Sequence, residues 1–371
     1  MKKVFILHLL PLEYYPPVTN LLDIIHQRKP FTVKVYSTHN TKHRPVYNRA
    51  SIPVYRSDYP AYVANPLLKI WAYLQLVIKP LWYMWRFRPD AILYYEPHSA
   101  APAYLYKRYF RSRVKVFIHN HEYYAPEEFN EAAMGSIRFF HHLERTYLYK
   151  KAVWISQTNR QRLALFHKDY PFIPSQVLHT LANYPPESWQ KHRKSRLASP
   201  RVRLLYIGAL SFENTHIKSV VDFVLQHQDQ MSLDIYAYNV SQEVQQFLEG
   251  QDEEVIRYFK AGVNYIDIPN IAQSFDIGLV LYNGHNLNYI YNAPNKLFEY
   301  LACGLNVWVP EELAGCRPYL NSQNRPQVLS LNYNELDSSL ISTHLASLEL
   351  PLMNTTYYCN QELQPLIQAL S

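Results

Sequence analysis

Three stretches of this chain set residue types at spacings that could do chemistry. The first is Asn292-Ala293-Pro294-Asn295-Lys296-Leu297-Phe298-Glu299-Tyr300-Leu301-Ala302-Cys303-Gly304. Pro294 suits the first helical position, where a missing N–H costs nothing, and Gly304 suits the left-handed cap after the last turn. Leu297, Phe298 and Leu301 then form an inward stripe. Free N–H groups at the helix start, the helix dipole and Lys296 together make a place for an anionic ligand such as a diphosphate. Glu299, a turn further in, can accept hydrogen bonds from vicinal hydroxyls. An ordinary well-capped helix with Glu299 exposed fits the pattern equally well.

The second stretch, Val116-Phe117-Ile118-His119-Asn120-His121-Glu122, is a strand running into polar residues, at the edge where open α/β sheets place ligands. His119 and His121 share a face, but no third ligand stands at zinc-binding spacing, so no metal site is expected. Hydrogen bonding to a polar ligand and a satisfied buried histidine remain as readings. The third stretch, Tyr206-Ile207-Gly208-Ala209-Leu210, ends a strand in a glycine, which permits close approach of a backbone or ligand. His141 and His142, beside Glu144, point to different faces of a helix and make no metal pair.

Composition limits what these stretches can belong to. At 371 residues the expectation is two domains, and 48% apolar residues suffice for buried cores. Only eight glycines occur and none precedes Gly135, which excludes a Gly-rich phosphate loop near the start. Cys303, Cys316 and Cys359 lack C-x-x-C spacing, so neither a disulfide scaffold nor a zinc ribbon is expected, and a reducing compartment fits. The net charge of +7 suits anionic partners. Nucleic acid is not expected among them, because the basic run Lys191–Arg203 carries no interleaved aromatics. Met1-Lys2-Lys3 followed by Val4–Leu10 imitates a signal peptide, but His8, Pro11 and Glu13 make a first buried strand the better reading.

The elements that must position these residues alternate strand and helix. Strands are expected at Val4–Leu9, Phe31–Ser37, Ala91–Tyr95, Val114–His119 and Ala152–Ser156, with helices at Thr19–Gln27, Ala101–Phe110, Glu127–Lys151 (interrupted at Gly135) and Asn159–His167. The polar, Pro-containing stretch Asn183–Arg203 reads as a linker. Beyond it, strands are expected at Leu204–Ile207, Ser232–Ala237, Asn264–Ile266, Ile277–Tyr282 and Asn306–Val309, and helices at Ser219–His227, Val240–Leu248, Pro269–Phe275 and Pro294–Cys303. The pattern is α/β, two Rossmann-like doubly wound domains facing a central cleft. Pro66–Arg88 is the most apolar and aromatic segment. Lys69 and Lys79 leave too short an uncharged run to span a bilayer. A buried covering helix is the favoured reading. The other is a helix lying in the membrane interface, with Trp71, Trp82 and Trp85 at headgroup level.

With these residues in place, the chain resembles the bacterial family 4 glycosyltransferases, which have the GT-B fold. Pro294–Gly304 is similar to that family's donor-binding helix, and His119–Tyr123 (H-N-H-E-Y) to its D-x-H-E stretch. Leu143-Glu144-Arg145 through Ile155-Ser156, Tyr206–Leu210 and Phe275–Leu279 resemble further family segments, so nearly the whole chain is covered. The resemblance implies an acceptor-side domain at 1–190, a linker at 191–203 and a donor domain at 204–354. A C-terminal helix at about 355–371 would pack back on the first domain. It implies retaining transfer of a hexose-type sugar from a UDP- or GDP-linked donor to a lipid-linked saccharide acceptor, in cell-envelope or capsule polysaccharide synthesis. The setting would be cytoplasmic, at the inner face of the plasma membrane with peripheral contact to anionic lipid, without cofactor or essential metal. By position, Glu299 would bind the ribose, Pro294, Asn295 and Lys296 the diphosphate, with Gly208 and Tyr282 beside it. His121 would be the catalytic group that meets charge developing on the sugar. Where the family's E-x7-E pair has its first carboxylate, this chain has Tyr291, which leaves Asn288 or Asn292 to contact the sugar. Ala209 replaces an arginine, and Lys218 is the remaining candidate cation. Two alternatives on the same fold stay open: a nucleotide-sugar epimerase, and a non-catalytic nucleotide-sugar-binding or partner subunit.

Overall fold

A computed structural model describes residues 1–40, 44–60, 63–130, 135–192 and 201–371. The chain forms two compact units, Met1–Ala182 with Cys359–Ser371, and Asn183–Tyr358. The first is built on strands β1 (Lys3–Leu7), β2 (Thr32–Thr38), β3 (Val54–Ser57), β4 (Ala91–Tyr95), β5 (Lys115–Asn120), β6 (Ala152–Gln157) and β7 (Leu178–Thr180). All pair in parallel, in the order β3-β2-β1-β4-β5-β6-β7. The central strands β1, β4 and β5 are buried almost throughout, as parallel strands covered on both faces must be. The chain winds outward from β1 to β3 and then returns to place β4 on the other side of β1. Connections leaving β1 and β4 therefore diverge, and a crevice opens at their C-terminal ends. The terminal segment Cys359–Ser371 docks on this unit, where Ala182 N donates to Glu362 Oε1 at 2.8 Å.

The second unit repeats the scheme with β8 (Val202–Ile207), β9 (Met231–Tyr236), β10 (Ile256–Phe259), β11 (Ile277–Leu279), β12 (Asn306–Pro310) and β13 (Val328–Leu331). These are parallel, in the order β10-β9-β8-β11-β12-β13, with the switch between β8 and β11. This is the α/β, doubly wound architecture expected.

Several elements differ from expectation. The strand expected at Asn264–Ile266 is a 3-10 turn at Tyr265–Asp267, and the edge strand is instead Ile256–Phe259, whose Tyr258 and Phe259 lie on a half-exposed border. The short edge strands β3, β7 and β13 were not anticipated, because edge positions carry no continuous apolar run. The helical stretch expected at Glu127–Lys151, interrupted at Gly135, comprises a 3-10 turn at Glu128–Asn130, an α-helix that starts at Gly135 and runs to Leu143, and an unanticipated π-helical turn at Glu144–Leu148. The linker is shorter than expected. Tyr184 and Trp189 pack into the core of the second unit, β8 already starts at Val202, and residues 193–200 lie outside the described residues. The units divide at Ala182/Asn183 and not at 190.

Gly278, in the middle of β11, lets the helix Asn295–Cys303 close on the sheet. A Cβ there would lie 2.2 Å from Cγ of Tyr300. The Tyr300 hydroxyl in turn accepts from Ile207 N at 2.9 Å. One aromatic ring thus joins β8, β11 and the helix Asn295–Cys303. Gly278→Ala is therefore expected to destabilise the second unit by about 3 kcal/mol or more, because both neighbours are main elements of the core. Urea unfolding checks this, and an unchanged midpoint would mean that Tyr300 can move aside.

Candidate functional site

In the second unit the helix Asn295–Cys303 starts beside the switch between β8 and β11. Pro294 precedes the helix as its cap residue (φ −71°, ψ 153°) and is not its first helical residue, one position later than expected. Its extended ψ keeps it out of the helix, and no side chain caps the helix start. The first N–H groups therefore have no side-chain acceptor. At the other end Gly304 takes the left-handed conformation expected (φ 80°). Glu299 is not exposed: it is 1% accessible and pairs with Lys296 Nζ at 2.5 Å. An ordinary capped helix would have left that carboxylate in solvent, so burying it marks this turn as unusual.

The remaining residues singled out in this unit lie on several other elements of it. Gly208 ends β8, yet what approaches it closely is Tyr206, whose hydroxyl would lie 2.8 Å from an added Cβ and which donates to Ala209 O at 2.7 Å. Tyr282 lies beyond β11, which ends at Leu279, and its ring stacks on Tyr289 at 5.3 Å. Asn288 sits in the short helix Leu287–Ile290. The backbone of Asn292 packs against Gly315, where a Cβ would come within 2.4 Å of its carbonyl oxygen. Lys218 lies on the helix Ile217–Gln226, 64% exposed and paired with Asp222. Sequence reasoning missed His216 and Glu312. His216 N donates to Leu281 O, its Nε2 lies 3.5 Å from Glu312 Oε1, and its ring stacks on Tyr333. Burial, opposed by Glu312, holds the His216 pKa below its usual value.

The first unit concentrates polar groups at its own switch. The ring of His121 stacks on Tyr95 at 5.2 Å and meets His119 at 4.8 Å, Tyr15 at 5.4 Å and His8 at 6.1 Å. Its backbone is held on both sides. Its N–H and that of Glu122 donate to Glu96 Oε1, and its carbonyl accepts from Arg162 Nη1 at 2.8 Å. Glu96 follows β4 in the left-handed region (φ 61°), a conformation costly for a residue with a Cβ, and this turns its carboxyl toward the end of β5. His8 Nε2, Asn120 Oδ1 and Gln157 Oε1 are buried here and find no hydrogen-bond partner among the described residues, which suits a polar ligand. Of these residues only His119, Asn120, His121 and Glu122 stood out in the sequence. His8 and Glu96 share the signal that would have found them, a polar residue one position past a strand end. No group of three or more metal-ligating side chains gathers among the described residues.

Burial dominates the electrostatics of this unit. It lowers His8 to about 4, and, with His8 as a second cause, lowers His119 to about 3. His141, stacked on Phe129, is lowered to about 4. Burial raises Glu96 to about 8, with Glu122 adding to it, and raises Glu144 to about 8 against hydrogen bonds from Tyr94 and Tyr149.

No family model and no curated protein matches the chain. Solved structures match it over its whole length. A sucrose-phosphate synthase from Thermosynechococcus elongatus is 12% identical with a TM-score of 0.61, covering 100% of this chain and 95% of the other. The lipopolysaccharide outer core galactosyltransferase WaaB is 12% identical with a TM-score of 0.61, covering 100% and 99%. A UDP-GlcNAc 2-epimerase from Neisseria meningitidis, bound to UDP-GlcNAc, is 11% identical with a TM-score of 0.56, covering 100% and 99%. At such identities the likeness establishes the fold, GT-B with its α/β architecture.

The shifted groups predict how stability follows pH. Histidines lowered by burial contribute stability that is lost as pH falls from 6.5 toward 4. Glu96 and Glu144 contribute stability that is complete below 4.5 and lost as pH rises toward 8. The first unit should therefore be most stable near pH 6.5. Glu144→Gln, which keeps an acceptor for Tyr94, should remove about half of the decline between pH 6.5 and 8. Unfolding midpoints across that range test this; equal slopes in both proteins would place the titration elsewhere.

Proposed function

We propose that the protein is a glycosyltransferase that takes a sugar from a nucleotide-sugar donor, UDP- or GDP-linked, without cofactor or essential metal. The observation that carries this reading is the start of the helix Asn295–Cys303. An anion-accepting helix end, a lysine and a buried carboxylate converge there at the switch of a doubly wound sheet. A diphosphate bound to the free N–H groups competes with Glu299 for Lys296. Once Lys296 turns to the phosphates, Glu299 is an unpaired buried carboxylate, and vicinal ribose hydroxyls are the donors that restore its hydrogen bonds. Asn288, Asn292 and Tyr282 take the sugar side in the absence of a carboxylate at Tyr291, with Gly208 beside the diphosphate.

Transfer in this reading proceeds with retention. The bond from the anomeric carbon to the diphosphate oxygen breaks, the bond to the acceptor oxygen forms on the same face, and the acceptor proton passes to the departing phosphate. His121 stabilises the positive charge that develops on the sugar. Its stacked, backbone-held ring needs little reorganisation to do so. The acceptor is a lipid-linked saccharide of cell-envelope or capsule synthesis, met at the anionic inner face of the membrane, with the acceptor-side role in the first unit. The epimerase alternative has support from the fold likeness to UDP-GlcNAc 2-epimerases, and Tyr291 and Ala209 favour a non-catalytic binder.

A thermal-shift panel of UDP, GDP, CMP and their sugar conjugates, with and without chelator, tests the donor site. Ligand at 100 times its dissociation constant should add about 2.7 kcal/mol of stability. One nucleotide should shift the midpoint regardless of chelator, and Glu299→Ala should abolish that shift while leaving the unliganded midpoint in place. His121→Ala should keep the shift and lower transfer by about a hundred-fold or more. No shift with any nucleotide would refute the donor site, and an epimer formed from donor alone would replace transfer with epimerisation. Binding by wild type without turnover over a broad acceptor set would favour the binding subunit.

A further inference from the structure

The helix Pro66–Phe87 has two apolar faces. Ala72, Leu76, Pro80, Met84 and Phe87 recur at helical spacing and are buried against the first unit. Leu67, Trp71, Leu74, Ile78, Trp82 and Trp85 recur at the same spacing on the opposite side, and each is between 47% and 77% exposed. A stripe of this length is not needed to cover the sheet. No Asp or Glu stands between Asn65 and Pro89, whereas Lys69, Lys79, Arg86 and Arg88 do. No helix among the described residues is long and apolar enough to cross a membrane.

At the C-terminal end of this stripe lies a cavity of about 580 Å3, into which Trp85, Phe110 and Tyr106 bring aromatic surface and Lys3, Arg88 and Arg111 bring charge. Its one carboxylate, Asp90, already accepts from Arg111 Nη2 at 2.9 Å and from Lys3 N at 3.0 Å. Arg111 also donates to the carbonyls of Arg88 and Pro89, which fixes the cavity wall. Arg88 pairs with no carboxylate among the described residues, and Lys3 Nζ lies over the Phe87 ring at 5.6 Å. Three cations therefore stand against one engaged anion. The cavity sits where β1 and β4 begin, at the sheet edge opposite His8, Glu96 and His121.

We infer that this face is a membrane-docking surface. The outward stripe lies in the bilayer interface, and the cavity holds the phosphate of an anionic phospholipid. The charge pattern selects this occupant. In a seam between two copies of the chain, cations would face cations, whereas tryptophans flanked by lysine and arginine match the headgroup layer of an anionic bilayer. The inference rests on the membrane contact proposed above and gives it a place and a headgroup.

Vesicle co-sedimentation tests it, using phosphatidylcholine alone and an equal mixture with phosphatidylglycerol. Wild type should bind the mixed vesicles more strongly, by on the order of ten-fold or more. Leu74→Glu/Ile78→Glu should lose both kinds of binding. Lys3→Gln/Arg88→Asn should keep weak binding to neutral vesicles and lose the anionic preference; asparagine is chosen because Arg88 has a left-handed φ of 53°. Both variants should keep the wild-type unfolding midpoint, with Ile78→Ser as the milder replacement if the first variant does not fold. Wild type bound by neither vesicle would overturn the membrane contact itself. Unchanged anionic preference in the Lys3/Arg88 variant would overturn the headgroup site alone. A wild-type dimer that the stripe variant dissociates, with no vesicle binding, would make the stripe a seam between copies.

Discussion

A parallel strand that ends at a switch point leaves backbone N–H groups without a neighbouring strand, and the site in each unit depends on how those groups are satisfied. Here buried side chains do it. Glu96 accepts from the N–H groups of His121 and Glu122, Ser99 from Leu9, and Tyr300 from Ile207. Each bond crosses from one strand end to the element beside it, so each also sets where the next polar residue sits. With only eight glycines, the chain cannot build its crevices from loops free of Cβ. It uses side chains as struts, and the left-handed backbone at Glu96 is the strain this solution carries.

The two crevices differ in electrostatics because their struts differ. In the first unit the struts are a carboxyl raised by burial and aromatic rings around histidines lowered by burial, so the crevice holds little net charge near neutral pH. Its unpartnered polar atoms favour hydroxyl-bearing ligands over ions. In the second unit the strut is the Tyr300 hydroxyl, and the charge lies in the Lys296–Glu299 pair at an uncapped helix start. Lys296 is partly exposed and can exchange its partner for a phosphate, while Glu299 is buried and can exchange only for another donor. That asymmetry sets a partly exposed, exchangeable cation against a buried anion within one helical turn.

The alternation of apolar runs and helical periods made the doubly wound units legible, and the cap residues made the helix Asn295–Cys303 legible to within one position at Pro294. What stayed hidden has physical reasons. Ile256–Phe259 and Val54–Ser57 are short edge strands, half exposed, with no run to announce them. The packing of Trp189 could not be read from a polar, Pro-containing stretch, since a single aromatic residue docking on a core leaves no period. His121 was legible as a polar residue at a strand end. His8 and Glu96 follow the same rule, but they become recognisable only when β1 and β4 are known to be neighbours. Gly208 was read as room for a ligand, and Tyr206 fills that room from two residues away on the same strand.

Strands β1 and β4 link the two ends of the first unit. Within one strand length, β1 carries Lys3 at the cationic edge and leads into His8 at the polar edge; β4 is preceded by Asp90 and followed by Glu96. Their register, Val4 with Ala91 through Leu7 with Tyr94, is held by some of the most completely buried side chains of the unit. A close-packed pair of parallel strands transmits position along its length with little slack. Whatever seats in the cavity between Lys3, Arg88 and Arg111 is thereby held at a fixed distance from the polar crevice, about one strand of five residues away. A loop could carry either set of side chains, but only a buried strand pair can carry both at a constant spacing.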